Sequence, residues 1–217
     1  MKTAATDKDY ECPKKIAARQ ATIIEPYREL FGSEVPSDKQ YWSMCGKSAH
    51  EDGTFKTKSE LGQILEAGLI QPSQFHGVEI DEESFQLNKS CRNDVNWYCG
   101  DFLETMHIAD DNDLFNPGIV NADLVSMPEK SAGYVSDIIK LLSDSTSDVM
   151  LVVNVVIRYR YKKSTIDILL DKLNENDIMQ SAIRDRQWSY SSNHYPYAGS
   201  GTNSNTDMGS IIFFLKG

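Results

Sequence analysis

The chain has 217 residues, of which 40% are hydrophobic and 25% charged, an ordinary composition with enough apolar content for one sizeable core. Its formal charge of −10 opposes a broad grip on nucleic acid, because that grip comes from Lys and Arg displacing phosphate counterions; a local basic patch remains compatible with it. No apolar run approaches the ~20 residues of a membrane span, and the N-terminal MKTAATDKDYECPKK has no apolar segment to act as a secretion signal, so a cytoplasmic protein with no membrane partner is expected. The four cysteines, Cys12, Cys45, Cys91 and Cys99, form no CxxC pair and have no His at ligand spacing. Reduced thiols are expected, without zinc or any other metal.

In chain order, residues 1–36 read as a helical segment, with Ile16, Ile23, Ile24, Tyr27 and Leu30 at roughly helical spacing and Pro26 as the point that kinks or divides it. From 37 to 217 short apolar runs alternate with amphipathic stretches, the pattern of βαβ units in a mostly parallel sheet. The first run, QYWSMCG, leads into Gly46-Lys47-Ser48. A phosphate-binding loop would carry a second glycine at position 41 and start a helix after Lys-Ser; Tyr41 stands there instead, and His50-Glu51-Asp52-Gly53-Thr54 follows. No phosphate loop is expected. Ser59 is placed to cap the helix ELGQILEAGLI, whose apolar face is Leu61, Ile64, Leu65 and Leu69.

The second run, FHGVEI, ends in acids before the helix DEESFQLNKSCRN; the third is VNWYCGDF and the fourth GIVNADLVSM. After the helix SAGYVSDIIKLLSD comes DVMLVVNVVIRY, a β-branched run suited to a central strand covered on both faces. STIDILLDKLNEN is the next helix. MQSAIRDRQWSY and MGSIIFFLKG then read as strands joined by a Ser-, Gly- and Asn-rich loop with no crossover helix, hence an antiparallel hairpin. The cluster Asp110-Asp111-Asn112-Asp113 lacks the glycine and closing Glu of a calcium loop and reads as a solvated connection.

A ligand of an open α/β sheet sits beyond the carboxyl ends of its strands. Strand two ends in Glu79-Ile80-Asp81 and strand three in Gly100-Asp101-Phe102. A carboxylate offers two oxygens to a vicinal diol, a second carboxylate can accept from an adenine amino group, and together they would specify an adenosine; the plainer alternative is that these acids cap the helices that follow.

The order FHGVEID, WYCGDF, NADLV and closing hairpin resembles the class I S-adenosylmethionine-dependent methyltransferases, over residues 39–217. The resemblance implies a Rossmann-like α/β fold: a mostly parallel seven-stranded sheet, helices on both faces and a C-terminal antiparallel hairpin. It implies S-adenosylmethionine as cofactor, with Glu79 on the ribose, Asp101 and Phe102 on the adenine, and Met44, Cys45 and Gly46 along the methionine half. Asn121 to Met127 would face the methyl group and its acceptor, with Asp123 as proton acceptor or orienting group. QYWSMCGKS and QFHGVEID are similar in general look to phage or viral members.

Members of this family carry a pattern like Asp-Leu-Gly-Cys-Gly-x-Gly at the first strand. Here it is Trp42-Ser43-Met44-Cys45-Gly46-Lys47-Ser48: one glycine survives and Trp42 occupies the acidic position. Either a rebuilt loop, Lys47 to Lys58, holds the cofactor, or binding is weakened or lost and the chain is a catalytically inactive binding module. The Asn/Asp-Pro-Pro-aromatic signature of amino-group methylation and a Pro-Cys pair are both replaced by Val125-Ser126-Met127-Pro128-Glu129, leaving direct in-line transfer, in which the protein mostly positions its reactants. Nucleic acid, DNA or RNA, or a protein tied to nucleic acid is the expected acceptor. Arg158 and Arg160, with Lys162 and Lys163, would meet its backbone, and His194, Tyr195 and Tyr197 would wall a planar base. A nicotinamide oxidoreductase would need G-x-G-x-x-G after the first strand, which is missing.

Overall fold

The computed structural model describes residues 13–124, 128–143, 148–157, 165–177, 189–195 and 207–215. Its sheet contains β1 (Gln40–Ser43), β2 (Phe75–Glu79), β3 (Asn96–Cys99), β4 (Pro117–Leu124), β5 (Val149–Ile157), β6 (Ser189–Tyr195) and β7 (Asp207–Leu215), in the order β3-β2-β1-β4-β5-β7-β6. Strands β1 to β5 pair in parallel. Strand β7 runs antiparallel to both β5 and β6. The mostly parallel α/β sheet and its terminal antiparallel hairpin agree with the expectation from the sequence.

Helices cover both faces. On one lie α5 (Phe102–Asp111), α6 (Pro128–Ser143) and α7 (Thr165–Asn174), whose Met106, Val135, Ile138 and Leu169 pack on Trp42, Val120, Leu151 and Val153. On the other lie the N-terminal helices and α3 (Glu60–Glu66), whose Ile23, Ile24, Tyr27, Leu61 and Ile64 pack on Tyr41, Phe75, Met150 and Val152. Strand β5 therefore sends Leu151 and Val153 to one core and Met150 and Val152 to the other, which is why it reads as an unbroken apolar run. Each such side chain contributes about 1.5–3 kcal/mol through burial.

The N-terminal segment is built into the second core. It runs as α1 (Pro13–Arg19), a π-turn (Gln20–Ile24) and α2 (Glu25–Phe31), with Ile23, Ile24 and Tyr27 buried. Pro26 has no N–H to donate and its ring crowds the carbonyl one turn back. The chain answers by widening: the Glu25 N–H bonds to Gln20 O, and helical dihedrals continue through Ile24 and Glu25. Proline divides the segment without ending it.

The hairpin departs from the expected boundaries. Among the described residues β6 takes in Ser189 and Tyr190 of MQSAIRDRQWSY and continues through Ser191 to Tyr195, which composition assigns to the loop. His194 and Tyr195, expected in the hairpin loop, are thus strand residues, in register with Gly209 and Met208. Local polarity favoured a loop, but the β-branched and aromatic run of β7 supplies a template, and pairing overrides propensity at such places.

Candidate functional site

Strand order reverses between β1 and β4, since β2 and β3 extend to one side and β5 to the other. A crevice opens beyond the carboxyl ends of strands at such a reversal. Two cavities fill it, one of about 260 Å³ and one of about 100 Å³. Both are lined by Met44, Gly46 and Asp123, so Asp123, expected beside the methyl group, and Met44 and Gly46, expected along the methionine half, stand where the two cavities join.

The turn after β1 is held open by its one glycine and a tether. Gly46 has φ of 57°, left-handed backbone that side chains other than glycine adopt reluctantly. The buried Asn88 of α4 (Glu82–Cys91) donates from Nδ2 to Gly46 O at 2.9 Å and accepts from the Ser48 N–H at 2.7 Å. Beyond it, Ala49 bridges to Phe55, Lys56 N donates to Ser48 O at 2.9 Å, and the Arg92 guanidinium lies 4.8 Å from the Phe55 ring centre. Residues 47–58 therefore form a folded excursion whose Ser48 N–H is already spent on Asn88, and no helix starts until Glu60. That geometry is not a phosphate loop.

The wider cavity is lined by Glu79, Ile80, Asp101 and Phe102. The three acids expected here divide their labour. Asp81 and Asp101 cap α4 and α5, accepting from Ser84 N at 2.9 Å and Glu104 N at 3.1 Å. Glu79 caps no helix; it accepts from the Asp81 N–H at 3.1 Å, and burial, reinforced by the Asp81 charge, raises its pKa. Asp101 also receives the Tyr134 hydroxyl, 3.3 Å from Oδ1 and 3.5 Å from Oδ2, while that hydroxyl accepts the Leu103 N–H at 2.9 Å. Burial first, and then Asp101, push the Tyr134 phenol up to about 12, so it stays a donor. Asp101 is thereby oriented on Oδ1, with Oδ2 less engaged. Ile80, 77% exposed at the cavity edge, was not singled out from the sequence; an apolar residue between two acids at a strand end is the signal.

The narrower cavity is lined by Lys15, Arg19, Cys45, Glu60, Asn121 and Asn154 together with the shared residues. Glu60, 7% exposed, is the first residue of α3, behind the Ser59 cap, whose hydroxyl accepts the Gly62 N–H at 3.2 Å. Its Oε1 accepts Tyr41 OH at 3.0 Å and Ser43 Oγ at 2.5 Å, and its Oε2 accepts Asn121 Nδ2 at 2.8 Å. The chain continues across the sheet: Asn154 Nδ2 donates to Asn121 Oδ1 at 2.8 Å, and Ser210 Oγ to Asn154 Oδ1 at 2.6 Å. Burial and the neighbouring Glu60 raise the Tyr41 phenol well above its ordinary value, and burial does the same to the Cys45 thiol, which therefore remains protonated and unreactive. Asp123 opens to solvent at the cavity mouth, yet protein surrounds its carboxyl, and that desolvation raises its pKa against the pull of Lys15 and Arg19. Glu60, Lys15 and Arg19 were missed in the sequence, where Glu60 looks like an ordinary first-turn acid and the other two like surface charges.

Trp42 explains the altered first motif. Its side chain points to the opposite face from Tyr41 and Ser43, stacking on His76 at 4.6 Å and Tyr98 at 5.5 Å with its edge toward Phe115. The carboxylate beside the end of β1 comes instead from α3.

Arg158, Arg160, Lys162, Lys163 and Tyr197 lie outside the described residues, as do Val125 to Met127. His194 pairs with Gly209, which pairs with Val155; β6 is thus parallel to β5, and His194 and Tyr195 stand at the same edge of the sheet as the crevice. Among the described residues no group of His, Cys, Asp and Glu side chains is arranged to hold a metal ion, and no helix is long and apolar enough to cross a membrane.

No protein-family model and no curated protein matches the sequence. Solved structures do match. The plantazolicin methyltransferase BamL, in complex with a triazolic desmethylPZN analog and SAH, superposes with a TM-score of 0.55 at 10% identity over 94% of this chain and 84% of that one. The methyltransferase domain of bacterial CtHen1 superposes with a TM-score of 0.51 at 8% identity over 91% of this chain and 97% of that one. At such identities what is shared is the fold, and this chain has the Rossmann-like α/β fold of those methyltransferases.

Proposed function

We propose that the protein is an S-adenosylmethionine-dependent methyltransferase acting by direct in-line transfer. One observation carries the reading: a carboxylate-lined cavity beyond β2 and β3 adjoins a polar cavity beyond β1 and β4, and Asp123 stands at their junction. The donor set fits the group. Glu79 offers two carboxylate oxygens to a ribose diol, Asp101 Oδ2 accepts from an adenine amino group, and Ile80 and Phe102 supply apolar walls. S-adenosylmethionine, when bound, supplies a methyl group activated by a positively charged sulfur. The chain's own residues orient and desolvate. Asp123, with its raised pKa, is placed to take a proton from the acceptor or to align it.

Nucleic acid is the acceptor proposed, resting on the basic run that follows β5 in sequence and on His194 and Tyr195 at the crevice edge. Charge reversal at Arg158 and Arg160 should weaken binding and flatten its salt dependence by somewhat less than one unit of log K per log salt for each phosphate no longer neutralised. The single surviving glycine of the first motif favours a second reading, a binding module without catalysis. Calorimetry and a methyl-transfer assay decide between them. Binding of S-adenosylmethionine and S-adenosylhomocysteine, with tritium moving to an acceptor, is the expected result; binding without transfer to any acceptor would favour the module. Failure to bind either compound at millimolar concentration would sink the adenosyl reading altogether.

A further inference from the structure

The far end of α5 displays apolar side chains to solvent in a fixed position. Leu114 N donates to Ala109 O at 2.8 Å and Asp113 N to Asp110 O at 3.0 Å, the pair of bonds that folds a chain back over the end of its helix. Leu114 is thereby returned to the last turn of α5, the turn that carries Ile108. Its carbonyl accepts Gln40 Nε2 at 2.8 Å, and the Ile108 carbonyl accepts Asn112 Nδ2 at 2.6 Å. With its N–H and carbonyl both bonded, Leu114 is presented rather than frayed, yet it is 65% exposed and Ile108 58%. Single exposed aliphatics are ordinary; two at one turn, rimmed by charge, are the pattern of an interaction site.

The rim is acidic, and the fold does not favour it there. Glu104 and Asp111 lie one turn before and one turn after Ile108 on the same exposed face, where His107 is the only base. Asp110 and Asp113 add two more exposed carboxylates. No Lys or Arg stands in the last turn, although cations are the stabilising charge at the negative end of a helix dipole. The chain leaves through Asp113 at φ of 58°, a left-handed position that glycine takes without strain. Local rules broken together are expected where a surface serves something other than the fold.

The sign of the rim selects the occupant. Phosphates of nucleic acid and anionic lipid headgroups are repelled by these carboxylates, and a second copy of the chain brings a further charge of −10. A polypeptide segment carrying Lys or Arg is attracted, and its apolar side chains can cover the two aliphatics. We propose that the end of α5 is a docking surface for a basic, amphipathic segment of another protein, with Ile108 and Leu114 receiving its apolar side chains and the four carboxylates its cations. Two aliphatic anchors make a small, transient and salt-sensitive contact. The chain runs from this turn into β4 at Pro117, so the surface lies at the amino ends of the strands, away from the crevice. It does not depend on what the crevice binds.

The test is fluorescence anisotropy on the full chain with a labelled helical peptide of Leu and Lys, beside counterparts in which Glu replaces Lys or Ser replaces Leu. Wild type should bind the Leu/Lys peptide about tenfold or more tightly than either counterpart. Ile108→Ser/Leu114→Ser should weaken that binding about tenfold or more with the urea midpoint unchanged, since both side chains are already exposed. Asp110→Asn/Asp111→Asn should weaken it and flatten its salt dependence, and should raise the urea midpoint slightly, because acids that oppose the dipole are removed. Glu29→Gln/Glu34→Gln removes two exposed charges elsewhere and should leave peptide affinity in place, which separates this surface from the general acidity of the chain. Equal binding by wild type and the Ile108/Leu114 variant, equal weakening by the Glu29/Glu34 control, or no binding at low salt would overturn the proposal. So would a fall in urea midpoint in Asp110→Asn/Asp111→Asn, since the carboxylates would then serve the fold. Displacement of the peptide by anionic vesicles or duplex DNA that bind the wild type at this surface, or a dimer that the Ile108/Leu114 variant loses, would equally overturn it in favour of a different occupant.

Discussion

The two halves of the crevice are built in opposite ways. The wider cavity draws Glu79, Ile80, Asp101 and Phe102 from two consecutive strand-to-helix turns, and each acid lies within two residues of the end of its strand. The narrower cavity draws Lys15 and Arg19 from α1, Glu60 from α3, Asn121 and Asp123 from β4 and Asn154 from β5. Local turns announce themselves in a sequence. A site assembled from four distant segments does not, because only the fold brings them together.

The difference extends to energetics, and the largest expected effect breaks the distributed half. Glu60→Ala removes the acceptor of three buried donors, Tyr41, Ser43 and Asn121, each left with a desolvation cost of about 1–3 kcal/mol. A loss of about 3 kcal/mol or more in unfolding free energy is expected from urea titration, together with loss of adenosyl ligand binding. Glu79→Ala should abolish binding comparably while leaving the urea midpoint nearly in place, since its carboxylate accepts from the adjacent backbone at Asp81 and Ile80 and braces no distant element. Equal stability losses in the two variants would erase the contrast.

Legibility follows the same division. Alternating apolar runs, the Ser59 cap and the acids at strand ends are local or periodic signals, and they located the sheet, α3 and the strand-to-helix turns that line the wider cavity. The excursion after β1 could be recognised as altered but not described, since Asn88, which tethers it, sits 40 residues or more away from Ser48 and Gly46. Glu60 was hidden because nothing in its neighbourhood announces that Tyr41, Ser43 and Asn121 will converge on it. The polar stretch Ser191 to Tyr195 was misplaced for the same reason: β7, not its own composition, makes it a strand.

A pH titration sharpens the comparison between the two faces of the sheet. Glu60 is satisfied by donors, whereas His76 on the opposite face packs in a cluster with the Trp42 and Tyr98 rings, and burial pushes its imidazole down from 6.5 to about 4. The unfolded chain therefore binds a proton near pH 6.5 that the native protein refuses until about 4. Stability from this residue is complete above the unfolded value and is lost as pH falls between 6.5 and 4, by about 3 kcal/mol in all. His76→Phe should flatten that part of the stability profile without moving ligand affinity. A wild-type profile level from pH 7 to 4 would contradict the assignment.

Asp101 gives the next smaller effect, because it caps α5 and, under the proposed function, would also serve the ligand. In Asp101→Ala the helix α5 loses its cap, costing about 1 kcal/mol, and the ligand loses a charged acceptor worth about 1.5–3 kcal/mol. In Asp101→Ser the hydroxyl restores the cap but not the charge. Both variants should bind S-adenosylhomocysteine about tenfold or more weakly, and only the alanine variant should be less stable to urea. Serine restoring affinity along with stability would show that Asp101 acts on the ligand only through the helix.

The smallest effect belongs to the stretch that most resembles a known motif. Lys47 of Gly46-Lys47-Ser48 lies 3.9 Å from Glu51, whose side chain is 84% exposed, and such surface pairs contribute about 0–1 kcal/mol. Lys47 lines neither cavity. The Ser48 N–H, which a phosphate loop would turn toward its ligand, is bonded to Asn88, and the first helix after it starts only at Glu60. Lys47→Ala should therefore leave the urea midpoint within about 1 kcal/mol of wild type, leave adenosyl ligand affinity unchanged, and find no nucleoside triphosphatase activity to remove. Hydrolysis of ATP by the wild type that vanished in this variant would require the excursion after β1 to refold around a phosphate, and the tether from Asn88 would then have to break.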